Sequence, residues 1–391
     1  MLNRSLQMFP KFALLALALC STQAFAADTR DPAEIQKERN AIVARVGKAT
    51  TYPADKFDLS ALPAYKPRTA VSGTLKIWGN NYLKDGPLGS YWEKGFKKHH
   101  PQVKFDNHLY SAATAIGGLY AGGADIGASG RAILWPERMA FNRVFGYDPT
   151  EVVVATGSFA YAGWSNALGI FVHKDNPLTK ISFEQIDAIF GAQRVGGWTG
   201  GEWKTDGARG AGKNIRTWGD LGLTGEWKDK PINPHGLNLR YEQSLRIGDP
   251  ILKGSDKWSE NMTLYANYLA EDGKFMRAAE QVMQAVGKDR YAIGYGGLMD
   301  LTEQTKVLDL ARKAEGPYVK LTLENTQNRT YPLYADTFFY INRKPGQKIE
   351  PKLEEFLRFV LSREGQQAVA RDGKYLPLPA EVVREQLKKL D

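Results

Sequence analysis

Short apolar segments of two different periodicities alternate along the chain. Residues 74–78 and 103–109 have the alternation of strands, and between them Leu88, Trp92 and Phe96 share one face of a predicted helix, 88–100. The succession continues with strands predicted at 152–155, 168–172, 291–295 and 337–341 and helices at 182–190 and 274–286. Because strands alternating with helices favour layers around a mostly parallel sheet, the pattern predicts an α/β fold.

The C-terminal stretch 351–379 predicts a pair of helices with a defined end. An amphipathic helix leads to Ser362, a second short helix follows, and Gly373 and the prolines after it stop the pair. This pattern resembles the C-terminal end of extracytoplasmic solute-binding proteins, in particular the phosphate-binding proteins of bacterial ABC importers. Segment 176–191, in which Ser182 and Gln185 predict a capping box, also looks like this family. The resemblance covers roughly residues 72–379.

The resemblance implies an α/β, two-lobed, periplasmic-binding-protein-like fold of type II. The first lobe would be discontinuous and comprise residues 72–155 plus 332–391, and the second would comprise 156–331. Hinge strands between the lobes are expected near 152–155 and 331–335. Such a protein captures a small anion in the interlobe cleft and delivers it to a membrane permease.

The N-terminus predicts export. An apolar run at 12–19 and the small-x-small pattern at 24–26 are typical of a secretory signal peptide, here 1–26, and imply a periplasmic protein. The run is shorter than the roughly 20 apolar residues that a membrane span needs. A retained anchor and a lipid anchor on Cys20 are the alternatives, although a lipobox requires a small residue where Leu19 stands.

The composition predicts the sign of the ligand's charge. The net charge is +9, and removal of residues 1–26 with their two basic side chains lowers it to +7, which favours anionic partners. We expect no nucleic-acid partner, since the chain has no run of five basic residues. Cys20 is the sole cysteine, so cleavage after Ala26 leaves a chain without disulfides.

Two segments stand outside the regular pattern. Residues 27–71 are predicted to be an N-terminal arm, extended and loosely packed over its proline-containing part, 52–67. Residues 191–230 carry four tryptophans among many glycines and predict a long surface loop with aromatic anchors. Loops of that length are often functional.

Candidate oxyanion donors of the first lobe follow three predicted strands. In 124–131 (ADIGASGR), Ser129 and Arg131 lie in a small-residue loop that resembles the family's cleft loop and offers hydroxyl and N–H donors. Ser111 and Thr114 open a helix whose free N–H groups favour an anion. Asn80 and Asn81 occupy the first strand-to-helix turn. The alternatives are a plain tight turn at each loop and N-capping by Ser111.

The second lobe contributes Arg240 and Ser244 as candidates. The resembled family has an arginine followed four residues later by a serine at a helix start, and these two residues keep that spacing. A guanidinium donates two parallel hydrogen bonds to a tetrahedral oxyanion. Gln243, Leu245 and Arg246 replace the family's flanking small residues, so a surface arginine is the alternative.

One departure concerns selectivity. Several phosphate binders of the resembled family place an aspartate after the loop serine, where it accepts the proton of hydrogen phosphate and repels sulfate. Gly130 stands at that position, so the sequence does not decide between phosphate and another oxyanion.

Two further motifs do not support catalysis or a cofactor. Segment 207–213 fits a P-loop until Asn214 replaces the magnesium-binding Ser/Thr, and the segment before it is polar. His99, His100 and His108 lie outside any HExxH pattern. We predict no metal and no cofactor.

The sequence therefore predicts a monomeric, non-enzymatic binding protein that captures an oxyanion, with phosphate as the first candidate, for an ABC permease. Binding of a sugar or other organic ligand through the tryptophan-containing segment 191–230 is one alternative. An exported phosphoester-processing enzyme, with Asp125 or Glu242 as base, is another.

Overall fold

A five-stranded sheet forms the centre of the first lobe. The computed structural model describes residues 52–199, 201–271 and 274–391. The first sheet has the order β2-β1-β3-β16-β4, with strands β1 (Gly73–Gly79), β2 (Val103–His108), β3 (Ile126–Ser129), β4 (Thr150–Thr156) and β16 (Asp336–Ile341). Strand β1 is parallel to β2 and β3, whereas β16 is antiparallel to β3 and β4. This sheet is mostly parallel, as predicted, and β16 is the antiparallel strand among the five because it returns from the second lobe in the opposite direction.

A second five-stranded sheet forms the centre of the second lobe. Its order is β10-β9-β13-β5-β14, with strands β5 (Leu168–His173), β9 (Asn233–Leu237), β10 (Thr263–Tyr265), β13 (Ala292–Gly297) and β14 (Thr305–Val307). Short two-stranded pairs complete the strands, namely β6 (Lys180–Ser182) with β15 (Asp309–Ala311), β7 (Gly197–Thr199) with β8 (Glu202–Lys204), and β11 (Tyr268–Leu269) with β12 (Phe275–Met276).

Helices cover both sheets and bury their apolar faces against them. The first lobe holds α1 (Tyr82–Asp85), α2 (Leu88–Lys97), α3 (Ala115–Tyr120), α4 (Trp135–Phe145), α9 (Pro351–Leu361), α10 (Arg363–Asp372) and α11 (Ala380–Lys388). The second holds α5 (Phe183–Phe190), α6 (Glu242–Ile251), α7 (Ala278–Lys288) and α8 (Leu323–Gln327). Short 3₁₀ turns occupy Ala54–Lys56, Ala112–Thr114, Thr205–Gly207, Ala211–Lys213, Gly219–Leu221, Gly225–Trp227 and Leu298–Asp300.

The described part of the N-terminal arm is packed, which differs from the predicted loose tail. Tyr52, Leu62 and Tyr65 are buried, and the Tyr52 hydroxyl accepts the Ala160 N–H at 2.7 Å. The Tyr65 hydroxyl donates to Glu355 at 2.6 Å, and its backbone N–H donates to Glu364 at 2.7 Å. Apolar side chains and backbone N–H groups thus fix an extended segment that composition alone suggests is loose. The predicted signal peptide and residues 27–51 lie outside the described residues.

Segment 191–230 is anchored by a buried ionic network and by two of its tryptophans. Asp187 accepts two hydrogen bonds from Arg194, at 2.6 and 2.7 Å, and lies 3.3 Å from the Arg209 guanidinium. Trp218 and Trp227 are buried, whereas Trp198 and Trp203 are exposed. Over the described ranges, no helix has the length and apolar character that crossing a bilayer requires.

Candidate ligand-binding cleft

Two chain segments cross between the lobes and define the position of the cleft. Strand β4 ends at Thr156 and β16 begins at Asp336, on the edge of the first sheet where β1 and β3 also end. Strand β5 enters the second sheet at Leu168, beside Gly297 at the end of β13. Ligands of open α/β sheets bind at such carboxyl edges. The polar turns at both edges are therefore the candidate site.

The first sheet brings three predicted donor groups to one edge. The Asn80 backbone N–H donates to Ala128 at 2.9 Å, just before Ser129. The turn that begins at Ser111 follows β2, the parallel neighbour of β1. Parallel pairing thus gathers Asn80, Ser111 and Ser129, as expected of strands whose carboxyl ends share an edge.

The hydrogen-bond donors of Ser129 and Arg131, in the loop after β3, already have partners within the protein. The Ser129 hydroxyl donates to the Arg131 carbonyl at 2.7 Å and accepts the Arg131 N–H at 3.2 Å. The Arg131 guanidinium donates two hydrogen bonds to Glu137, at 2.6 and 2.8 Å, and both side chains are largely buried. The charge of Arg131 is therefore balanced inside the protein.

The two asparagines of the first turn are also engaged. The buried Asn80 amide donates to the Tyr375 hydroxyl at 3.1 Å and accepts the Tyr82 N–H. The Asn81 amide donates to Asp85 at 2.6 Å. Burial raises the pKa of Tyr375, so its hydroxyl stays protonated at neutral pH.

Ser111 and Thr114 differ in what they can offer. Ser111 caps the 3₁₀ turn by accepting the Ala113 N–H at 3.3 Å, so the capping role weighed from the sequence is present. Its hydroxyl is exposed and keeps its proton for another acceptor. The Thr114 hydroxyl donates to the Ser111 carbonyl at 2.9 Å.

The second-lobe candidates differ in exposure. The Ser244 hydroxyl is fully buried, donates to the Leu237 carbonyl at 3.0 Å and contacts the Tyr295 hydroxyl at 2.8 Å. Ser244 thus faces the lobe core, because it lies on the apolar side of α6. Arg240 is exposed on the turn before α6, where its N–H donates to Asn238.

Arg246 and Glu242 are cleft residues that the ligand prediction missed. Arg246 donates to the carbonyls of Asn166, at 2.7 Å, and Leu333, at 3.2 Å, one in each crossing segment. Its guanidinium lies 3.3 Å from Glu242. Burial raises the pKa of Glu242, whereas Arg246 and then Arg131 act to lower it. The i,i+4 spacing of the two residues on a helix was the available sequence signal.

Segment 157–167 lies between β4 and β5 and touches the first-lobe turns. The Ser165 hydroxyl donates to the Gly130 carbonyl at 2.5 Å, and the ring centroids of Trp164 and Tyr82 lie 4.4 Å apart. Ser165 has a left-handed backbone, with φ of 48°. No sequence signal distinguishes this serine from an ordinary loop residue.

The P-loop-like segment 207–213 does not have the backbone conformation of a P-loop. Residues 207–213 run from the end of one short 3₁₀ turn, Thr205–Gly207, into another, Ala211–Lys213, without the long helix that follows a P-loop, and Arg209 between the turns is buried beside Asp187. Within the described residues, no group of three or more His, Cys, Asp or Glu side chains could hold a metal.

Two mixed sheets, two crossing segments and facing polar turns define a two-lobed α/β binding protein. The chain matches the model of the PBP superfamily domain over residues 67–364 and belongs to that superfamily. It is 33% identical over 349 residues to the phosphate-binding protein PstS of Pseudomonas aeruginosa PAO1, spanning 89% of this chain and 96% of the relative, and the PstS of strain UCBPP-PA14 matches equally. PstS from Borrelia burgdorferi has a similar fold, with a TM-score of 0.51 at 16% identity, covering 79% of this chain and 100% of that one. The predicted family and fold class are confirmed.

Proposed function

We propose that this chain is an exported solute-binding protein that captures an oxyanion, inorganic phosphate first, and delivers it to an ABC permease. The observation that carries the proposal is its similarity, over nearly the full length, to proteins named as phosphate-binding. The net positive charge and the polar turns at the sheet edges favour the same class of ligand. The protein acts as a monomeric receptor in the periplasm and performs no chemistry on its ligand.

The proposed binding groups come from both lobes. The first lobe supplies Asn80, Asn81, Ser111, Thr114, Ser129 and Arg131, and the second supplies Arg240 and Ser244. The exposed Ser111 hydroxyl and Arg240 guanidinium can turn to a ligand directly. The other groups have to exchange an internal partner for the oxyanion. Because donors from both lobes contact one ligand, binding favours the closed arrangement and shifts the population toward it.

The proposed domain boundaries are those expected from the sequence. The first lobe comprises 72–155 plus 332–391, and the second comprises 156–331. Support comes from the strands: the first sheet draws on Gly73–Thr156 and Asp336–Ile341, and the second on Leu168–Val307. The carbonyls bound by Arg246 mark the two crossing segments.

Binding of a sugar or other organic ligand is the second candidate. Trp135, Trp198 and Trp203 are 52%, 46% and 44% exposed, and their ring centroids lie 6.1 Å and 5.3 Å apart in succession. Aromatic faces of this kind suit a ring-shaped ligand. Trp135 belongs to the first lobe and Trp198 to the second, so the same pair also reports movement between the lobes.

Tryptophan fluorescence separates these functions. We expect phosphate to change the emission of the protein from residue 27 onward after unfolding and refolding have removed bound ligand. Sugars should not change it. A Trp135→Phe variant should lose part of this change and keep its phosphate affinity. A response to sugars alone would overturn the proposal, as would metal-dependent turnover of a chromogenic phosphoester.

A further inference from the structure

Arg131 and Arg246 each have a carboxylate partner, whereas Arg240 is exposed. Arg131 of the first lobe donates two hydrogen bonds to Glu137, and Arg246 of the second lies 3.3 Å from Glu242. When both carboxylates are ionised, the two pairs carry no net charge. An entering oxyanion then meets these two guanidinium groups already paired.

The two carboxylates differ in how well their oxygens are satisfied. Both Glu137 oxygens accept hydrogen bonds from Arg131, and one also accepts the Leu134 N–H at 2.9 Å. Glu242 Oε1 is enclosed and lies 3.3 Å from the Arg246 guanidinium, but it accepts no well-aligned hydrogen bond from any described residue. The Glu242 side chain as a whole is 26% exposed. Glu242 is thus the less firmly held carboxylate.

Glu242 also lies where positive groups from both lobes meet. It is the first residue of α6, and Tyr241 before it provides no side-chain cap to the helix. The free N–H groups of a first turn carry a partial positive charge. Arg246 links this turn to the carbonyls of Asn166 and Leu333. Burial raises the pKa of Glu242, and Arg246 and then Arg131 of the first lobe oppose the rise.

We infer that Glu242 is a built-in competitor of the oxyanion and determines the affinity of the cleft. Its carboxylate lies among the positive groups of both lobes that would otherwise attract a bound anion. The ligand must displace it or bind against its negative charge. This inference rests on the proposed function.

A structural role for Glu242 makes a different prediction. An acidic first-turn residue with an arginine four positions later stabilises a helix by the dipole and the ion pair. Removal of the charge would then lower stability and leave anion affinity unchanged or weaker. A competitor predicts the reverse for affinity, since a like charge next to the ligand disappears.

The test is calorimetric titration of phosphate, and separately of sulfate, into the wild type, Glu242→Gln and Glu226→Gln. Glutamine keeps the shape of the side chain and removes its charge. Glu226 is a matched control, because it is an exposed glutamate of the second lobe that pairs with Arg290 at 3.1 Å. We expect Glu242→Gln to bind phosphate at least about tenfold more tightly and to gain sulfate affinity. Glu226→Gln should behave as the wild type.

Glu242→Asp provides a second variant, which keeps the charge and should retain affinity close to that of the wild type. If the wild type binds phosphate and Glu242→Gln binds it equally or more weakly, the inference is wrong and the proposed function stands. Phosphate binding gained only in Glu242→Gln supports the inference. If no variant binds phosphate, the proposed function fails and the inference fails with it.

Discussion

The Ser165 hydroxyl donates a 2.5 Å hydrogen bond to the carbonyl of Gly130, which joins a crossing segment to the loop of Ser129 and Arg131. A Cβ atom at position 130 would lie 2.7 Å from Ser165 Oγ. The space that a side chain at 130 would need is therefore filled from the segment between the lobes. This contact gives a physical reason for the glycine that the sequence left unexplained.

Gly130→Ala should lower the free energy of unfolding by about 1–3 kcal/mol, because it overpacks the contact with Ser165. Ser165→Gly removes the hydroxyl and relieves a left-handed backbone. The double variant should therefore be more stable than the sum of the two single changes in the free energy of unfolding predicts. Denaturant unfolding of the four proteins measures the coupling. Simple additivity would show that the two residues do not compete for space.

Arg240→Ala should abolish phosphate binding and leave the fold intact. Arg240 is exposed, so its removal creates no cavity, and it takes away a proposed forked donor. Arg290→Ala is the control for the loss of one positive charge on the same lobe, since Arg290 pairs with Glu226. Wild-type phosphate affinity in Arg240→Ala would remove this residue from the site.

Asp187→Ala should destabilise the protein by about 3–5 kcal/mol, because it leaves Arg194 and Arg209 buried without their shared carboxylate. Asp148→Ala, which breaks the exposed pair with Arg138, should cost at most about 1 kcal/mol. Thermal and denaturant unfolding compare the two. Equal, small effects would show that segment 191–230 does not depend on this network.

The stability of the protein should depend on pH through Asp336. Burial raises the pKa of Asp336 to about 6, with Arg329 opposing the rise. Between about pH 4 and pH 6 the folded protein keeps a proton that the unfolded chain has lost, so this group lowers stability as pH rises through that window. Asp336→Asn should remove this part of the slope, by up to about 1.4 kcal/mol per pH unit. An unchanged slope in unfolding measurements from pH 4 to pH 7 would contradict the assignment.

Local signals predicted the helix ends well. Ser182 and Gln185 form the predicted capping box, Ser362 caps α10, and Gly373 ends it with φ of 70°. These features depend on residues within one turn, so the sequence contains them directly. The gathering of Asn80, Ser111 and Ser129 at one edge follows from the parallel pairing of β1 with β2 and β3, which local signals do not specify.

The partners of the candidate donors could not be predicted, because they depend on tertiary packing. Arg131 pairs with Glu137 six residues later, after the chain turns into α4. Ser244 faces Tyr295, which is distant in sequence. Ser165, in the segment 157–167 between β4 and β5, donates to the Gly130 carbonyl. Spacing indicates which residues share an element, and it does not indicate which of their donors are already used.

Calorimetric titration of phosphate into ligand-stripped protein from residue 27 onward tests the central claim most directly, with sulfate as the control. The account predicts that phosphate binds with micromolar or tighter affinity and that this binding is lost in Arg240→Ala. Absence of heat with phosphate would contradict phosphate capture and would direct the search to ligands of Trp135, Trp198 and Trp203.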